Sequence, residues 1–254
     1  MSSQPFTVVI TGAASGIGAA ISQQLMAVPG KNLILLDRQA DTLAELAATA
    51  PPGVVVETLA IDLTNTEQLT SGLSPLLADN SIHELVISHG IADENQLDQC
   101  EIWDKVLLTN LTSVQRLLAV LEPRLADGAS VVIVSSILGL IGKKANSAYC
   151  ASKHGLLGLV KATALDLASR RIRVNAVLPS WVDTPMLRRE VRRQADLTGI
   201  AEADMLRRIK KRIPLRSMVE ANDVAHAIQF LLSAQSRMIT AQSLVIDGGD
   251  GCGL

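Results

Sequence analysis

The chain contains a single tyrosine, and it stands four positions before a lysine: Tyr149-Cys150-Ala151-Ser152-Lys153. On a helix, positions i and i+4 share a face, so the phenol and the ammonium would address the same space. A cation beside an acid favours the ionised form and lowers its pKa by roughly 1–3 units. A phenol that starts near pKa ~10 would then approach the range of a working general acid or base. A second candidate is the run Thr11-Gly12-Ala13-Ala14-Ser15-Gly16-Ile17-Gly18, which follows an apolar stretch and opens into helical spacing. Glycines at 12, 16 and 18 allow a tight turn and close approach to phosphate, and Ser15, Gly16 and Ile17 would lie at the positive end of the helix. The spacing is GxxxGxG rather than GxGxxG. Its weight comes from Asp37, 19 residues beyond Gly18, where a ribose-binding carboxylate belongs in a dinucleotide site. A carboxylate there accepts from both ribose hydroxyls and repels a 2′-phosphate. It therefore favours NAD over NADP, although Arg38 beside it softens the preference.

These groups need a frame. Apolar strand-like runs (Phe6–Thr11, Asn32–Asp37, Val54–Ile61, Glu84–Ser88, Ala129–Ser135, Ile172–Leu178, Ser243–Asp247) alternate with helical stretches (residues 17–25, Ala40–Ala48, Glu67–Leu77, Glu101–Leu121, Ala148–Ala168, Asp223–Leu232). This rhythm predicts an α/β protein: a single-domain, Rossmann-like, doubly wound parallel sheet of about seven strands with helices on both faces. Residues 1–254 read as one dinucleotide-binding and catalytic domain. Residues 185–216 break the pattern with a net charge of +6 in a chain of net −2. Two readings stand for that segment. It is a solvated amphipathic lid, or its arginines, with Lys143 and Lys144, draw in an anionic substrate such as a carboxylate or a carrier-bound acyl group.

With the glycine loop and the YxxxK pair in place, the chain resembles the short-chain dehydrogenase/reductase family from about Phe6 to Gly249. The resemblance implies a Tyr149 that exchanges a proton with the substrate oxygen and a Lys153 that tunes it and binds the nicotinamide ribose. It implies a Ser136, thirteen residues before the tyrosine, that hydrogen-bonds the substrate oxygen, in preference to the neighbouring Ser135. Asn110, in Thr109-Asn110-Leu111-Thr112, matches the asparagine that supports a proton relay. Asp62-Leu63 resembles the pair that meets the adenine, and Gly90 matches the glycine of the Asn-Asn-Ala-Gly motif. Pro179, Val182 and Thr184 lie in a segment that looks like the clamp on the nicotinamide carboxamide, and Asp247-Gly248-Gly249 resembles the C-terminal signature. Two departures are visible: Ile87-Ser88-His89-Gly90 replaces Asn-Asn-Ala-Gly, and Ser180 replaces a glycine. His89 reads as a tolerated substitution more readily than as a cofactor contact.

The remaining composition narrows the classes. A pI near 6.1 and 2% aromatic residues argue against nucleic acid, and no apolar run approaches the ~18 residues of a membrane span. Three scattered cysteines (Cys100, Cys150, Cys252) show no metal-ligand spacing and no disulfide framework, and the polar start Met1–Pro5 carries no signal region. The reading is a cytoplasmic NAD(H)-dependent oxidoreductase interconverting a secondary alcohol and a ketone, with no metal. Small residues on the tyrosine helix (Ala151, Gly155, Gly158, Ala162) point to a homodimer or homotetramer, or else to plain internal packing. The rival readings are a 3-oxoacyl-carrier-protein reductase and, outside enzymes, an NAD(H)-binding regulatory protein.

Overall fold

The computed structural model describes residues 6–77 and 81–252; Met1–Pro5, on which the leader reading falls, lie outside them. Seven parallel strands form one sheet in the order β3-β2-β1-β4-β5-β6-β7. They are β1 (Phe6–Thr11), β2 (Lys31–Asp37), β3 (Val56–Ala60), β4 (Ile82–Ile87), β5 (Leu125–Val134), β6 (Arg173–Pro179) and β7 (Ser243–Ile246). The chain runs outward from β1 to β3, then returns to the other side of β1 with β4. The strand order therefore reverses between β1 and β4, where a crevice opens beyond the C-terminal strand ends.

Side-chain alternation along the strands divides the core in two. Val9, Ile34, Leu36, Leu85, Ile87, Val131 and Ile133 face helices α3 (Thr66–Leu76), α5 (Ser113–Leu121) and α6 (Ser147–Asp166). Their neighbours Val8, Ile10, Leu33, Leu35, Val86 and Val132 face α1 (Gly16–Met26), α2 (Ala40–Ala47) and α9 (Ala221–Leu232). Because a helix layer covers each face, strand residues of both parities are apolar, which explains the continuous apolar runs in the sequence.

Two expectations need correction, and residues 185–216 gain a definite form. The long helix expected over Glu101–Leu121 is α4 (Cys100–Leu107) and α5 joined by a π-helical turn, Leu108–Thr112. A π turn keeps the helical period nearly intact, so periodicity does not reveal it. The β5 strand begins at Leu125, ahead of the apolar run, and Gly128 takes a positive φ of 82° while the pairing with β4 shifts register. Residues 185–216 carry two helices, α7 (Pro185–Thr198) and α8 (Glu202–Arg212). Leu187, Val191, Ile213 and Met218, with Trp181 and Ile209 packed on them, give this region a small core of its own.

Candidate active site

The loop after β1 is shaped by its glycines. Gly12 has φ +65°, and a Cβ there would come within 2.7 Å of His89 N. A Cβ on Gly18 would lie 2.0 Å from the Gly12 carbonyl oxygen, so α1 can start this close to the strand end only with glycine at 18. Ser15 precedes α1 without its side chain capping the helix. The first N–H groups of a helix have no intrahelical partner, and here the residues that open α1, Gly16 and Ile17, line the cavity. Asp37 closes the other wall: it accepts from Ala14 N at 3.1 Å and from Gln39 N at 3.2 Å, which fixes its carboxylate at the end of β2.

Tyr149 and Lys153 sit one turn apart near the start of α6. The first turn of α6 is pinned by Asn95, which is 3% exposed. Its Oδ1 accepts from Ala148 N at 3.1 Å and its Nδ2 donates to Ser147 Oγ at 2.8 Å. Nothing in the local sequence signals this, because the partners lie about fifty positions away. Ser136 caps a short 3₁₀ turn, accepting from Leu138 N, and makes a side-chain hydrogen bond with Tyr149. Ser135 turns away and donates to the Lys153 carbonyl at 3.0 Å. Both serines line the cavity, but only the Ser135 hydroxyl is spent on the backbone of α6.

The electrostatics of the pair differ from the sequence expectation. The Lys153 ammonium donates to Val134 O at 3.0 Å and lies 5.5 Å from the Tyr149 ring centroid. Burial lowers Lys153 from 10.5 to about 8. Burial also dominates at Tyr149, pushing it from 10.0 up to about 12; the Ser136 hydrogen bond pulls the other way, and the Glu190 charge adds to the rise. In the free protein, desolvation of the phenolate outweighs any help from the lysine, so Tyr149 is a protonated acid at neutral pH.

Asn110 lies in the π turn and is fully buried. Its Oδ1 accepts from Ile91 N at 2.8 Å and its Nδ2 donates to Ile91 O at 2.9 Å. Gly90 leaves room between the two groups: a Cβ there would meet Asn110 Oδ1 at 3.2 Å and Lys153 Nζ at 3.7 Å. His89 is more than a tolerated residue. Its Nε2 is 2.9 Å from Ser113 Oγ, whose proton goes to Thr109 O at 2.6 Å; its Nδ1 is 2.8 Å from Thr11 Oγ1. Since a hydroxyl has one proton, Ser113 accepts from Nε2–H and Thr11 donates to Nδ1. Burial, then the Lys153 charge, hold His89 down to about 3, so it is neutral. It ties the end of β1 to the π turn that carries Asn110.

One cavity of about 770 Å³ joins these groups. It is lined by Gly12, Ser15, Gly16, Ile17, Asp37, Asp62, Leu63, Gly90, Ser136, Tyr149, Lys153, Pro179, Val182 and Thr184. Gly18 and Asn110 are not on its surface: Gly18 packs behind the loop and Asn110 behind Gly90. Asp62 is held by Thr64, whose side-chain and backbone hydrogen bonds keep its carboxyl below the usual range. Trp181, Lys143 and Glu190, which no motif marks, also line the cavity.

Residues 12–250 match the family model described as enoyl-(acyl carrier protein) reductase. The 3-oxoacyl-(acyl-carrier-protein) reductase of Thermotoga maritima is 34% identical, over 95% of this chain and 96% of that protein. The chain belongs to the short-chain dehydrogenase/reductase family. It is an oxidoreductase fold built for a nicotinamide cofactor. An actinorhodin polyketide ketoreductase solved with NADPH superposes with a TM-score of 0.91 at 28% identity, covering 99% of this chain and 100% of that one. Carveol dehydrogenase from Mycobacterium avium, solved with NAD, gives 0.88 at 28% identity, with 97% and 98% covered. No helix among the described residues is long and apolar enough to cross a membrane.

Proposed function

We propose that the protein is an NAD(H)-dependent oxidoreductase that interconverts a secondary alcohol and a ketone. The observation that carries this reading is the convergence of Tyr149, Ser136 and Lys153 on the cavity whose far wall is the glycine loop and Asp37. The residues fit a dinucleotide. The α1 N-terminus presents Ser15, Gly16 and Ile17 to its phosphates. The Asp37 carboxylate is set for ribose hydroxyls, and a glycine at 90 keeps the floor open. Asp62 and Leu63 flank the adenine end, while Pro179, Val182 and Thr184 line the nicotinamide end. When bound, the nicotinamide ring supplies or accepts the hydride.

The chain's own groups manage the proton and the oxygen. Ser136 Oγ accepts from Leu138 N, and the proton it offers Tyr149 in the free protein would pass to a substrate oxygen bound between them. Tyr149, protonated in the free protein, delivers its proton to the alkoxide that hydride addition would leave, and takes it back in the oxidation direction. Lys153 has three donors and spends one on Val134 O, leaving two for the cofactor ribose. Asn110 supports the proton path by holding the Ile91 backbone beside Gly90.

Tyr149→Phe is expected to lower ketone reduction by about 10³-fold or more while NADH affinity, read by fluorescence titration, stays within a few-fold. Activity near that of the unaltered protein would refute the mechanism. A 3-oxoacyl-carrier-protein reductase is the second reading, supported by the Thermotoga maritima relative; parallel assays with NADH and NADPH separate it from the first. Tight NADH binding without turnover of any ketone would favour the regulatory role instead. Residues 1–254 are proposed to act as one cytoplasmic domain in a homodimer or homotetramer. Exposed Gly158 and Ala162 on α6 support that assembly, whereas Gly155 is used internally, its missing Cβ filled by Leu111.

A further inference from the structure

The substrate end of the cavity is walled by Ile91, Leu138, Ile141, Trp181, Met186 and Leu187. Two of its cations, Lys143 and Arg212, are held in ion pairs. Lys143 Nζ lies 2.5 Å from Glu190 Oε1 and 3.6 Å from Glu94 Oε1, and Arg193 holds Glu94 from the other side at 2.5 Å. Arg212 grips Asp250 with two bonds of 2.7 and 2.6 Å, and the Asp250 side chain is 1% exposed. Trp181 is wedged between the two cations, 5.3 Å from Lys143 and 5.4 Å from Arg212, each over the indole ring. Arg189, also on the lining, is exposed at the rim. The one carboxylate on the lining near the tyrosine is Glu190, close enough for its charge to disfavour the Tyr149 phenolate.

An anion entering here would meet Glu190. Away from Arg189 at the rim, it could be neutralised only by taking Lys143 or Arg212 from its partner, which would leave a shielded carboxylate unpaired. Of the basic residues of 185–216, only Arg189 and Arg212 line the cavity; Arg212 is spent on Asp250 and Arg189 stands exposed at the rim, so little of the +6 faces the substrate end.

Resting on the oxidoreductase reading, we propose that the substrate is a neutral alcohol–ketone pair with an apolar body, and that the Glu190–Lys143–Glu94 cluster is a charge filter that rejects anionic analogues. Two ketones of matched shape test it with NADH: 4-methylcyclohexanone and 4-oxocyclohexanecarboxylate. The neutral ketone is expected to have at least tenfold higher kcat/KM. Glu190→Gln is expected to raise the anionic-to-neutral ratio of kcat/KM by tenfold or more. Glu94→Gln, which frees the same lysine from its other carboxylate, is expected to move the ratio the same way and serves if the first variant misfolds. Equal kcat/KM for the two ketones, or a ratio that neither variant moves, overturns the proposal.

If no ketone is turned over, the oxidoreductase reading fails, and binding still decides the filter. N-phenyl-1-naphthylamine and its 8-sulfonate analogue share one skeleton and differ by one negative charge. With NAD present to occupy the glycine loop, the neutral fluorophore is expected to bind at least tenfold more tightly, with the gap narrowing in Glu190→Gln. Tighter binding of the sulfonate, or no binding of either, overturns the proposal.

Discussion

Replacing Lys153 with methionine should stabilise the protein at neutral pH while removing its activity. Lys153 is 4% exposed, and burial holds it near 8 instead of 10.5. At about 1.4 kcal/mol per tenfold change in proton affinity, keeping this charge in the folded state costs about 3 kcal/mol at pH 7. Methionine fills much the same volume without the charge, but it gives up the bond to Val134 O, worth about 1 kcal/mol. The net gain is about 2 kcal/mol, or roughly 4–8 °C in Tm for a chain of this size. The advantage depends on pH. The folded pKa is depressed, so between about 8 and 10.5 the unfolded state binds more protons and the unaltered protein gains stability as pH rises. Lys153→Met lacks this titration, so its advantage should shrink above pH 8 and vanish by about pH 10. Urea unfolding of both proteins from pH 7 to 10 measures the difference directly. A variant less stable at pH 7, or a gap independent of pH, would refute the claim that burial dominates at this lysine.

Three further outcomes are expected. Asp37→Ser should shift the NADPH-to-NADH ratio of kcat/KM toward NADPH by about 10–100-fold, because the 2′-phosphate would no longer face a fixed carboxylate. Gly18→Ala, whose new Cβ would stand 2.0 Å from the Gly12 oxygen, should lower Tm and cost about 2 kcal/mol or more, with weakened nucleotide binding in a fluorescence titration. His89→Leu should destabilise by about 1–3 kcal/mol in urea unfolding by leaving the Thr11 hydroxyl proton without its acceptor, and hydrogen exchange should quicken at Leu108–Thr112.

Much of the frame was legible because parallel strands covered on both faces leave apolar runs, and a helix-opening glycine loop needs its glycines at fixed steps. Tyr149, Lys153, Gly12, Gly16 and Asp37 are marked by local spacing of this kind. The π turn was hidden because it barely disturbs the helical period, and Asn95 was hidden because its hydrogen bonds reach Ser147 and Ala148 across more than fifty positions. His89 looked like a bystander until its two ring nitrogens were seen between Thr11 and Ser113.

The order of residues along the chain determined which chemical groups are present and which of them share a turn or a helix face. Where charge is felt was decided only by the tertiary structure. The sequence places a cation beside the tyrosine, yet desolvation sets Tyr149 near 12 and turns the lysine to Val134 O. It places ten basic residues in 185–216, yet only Arg189 and Arg212 of them line the cavity, and Asp250 neutralises Arg212 there. Coulomb energies depend on distance and on surrounding water, and both are properties of packing, not of neighbours in the sequence.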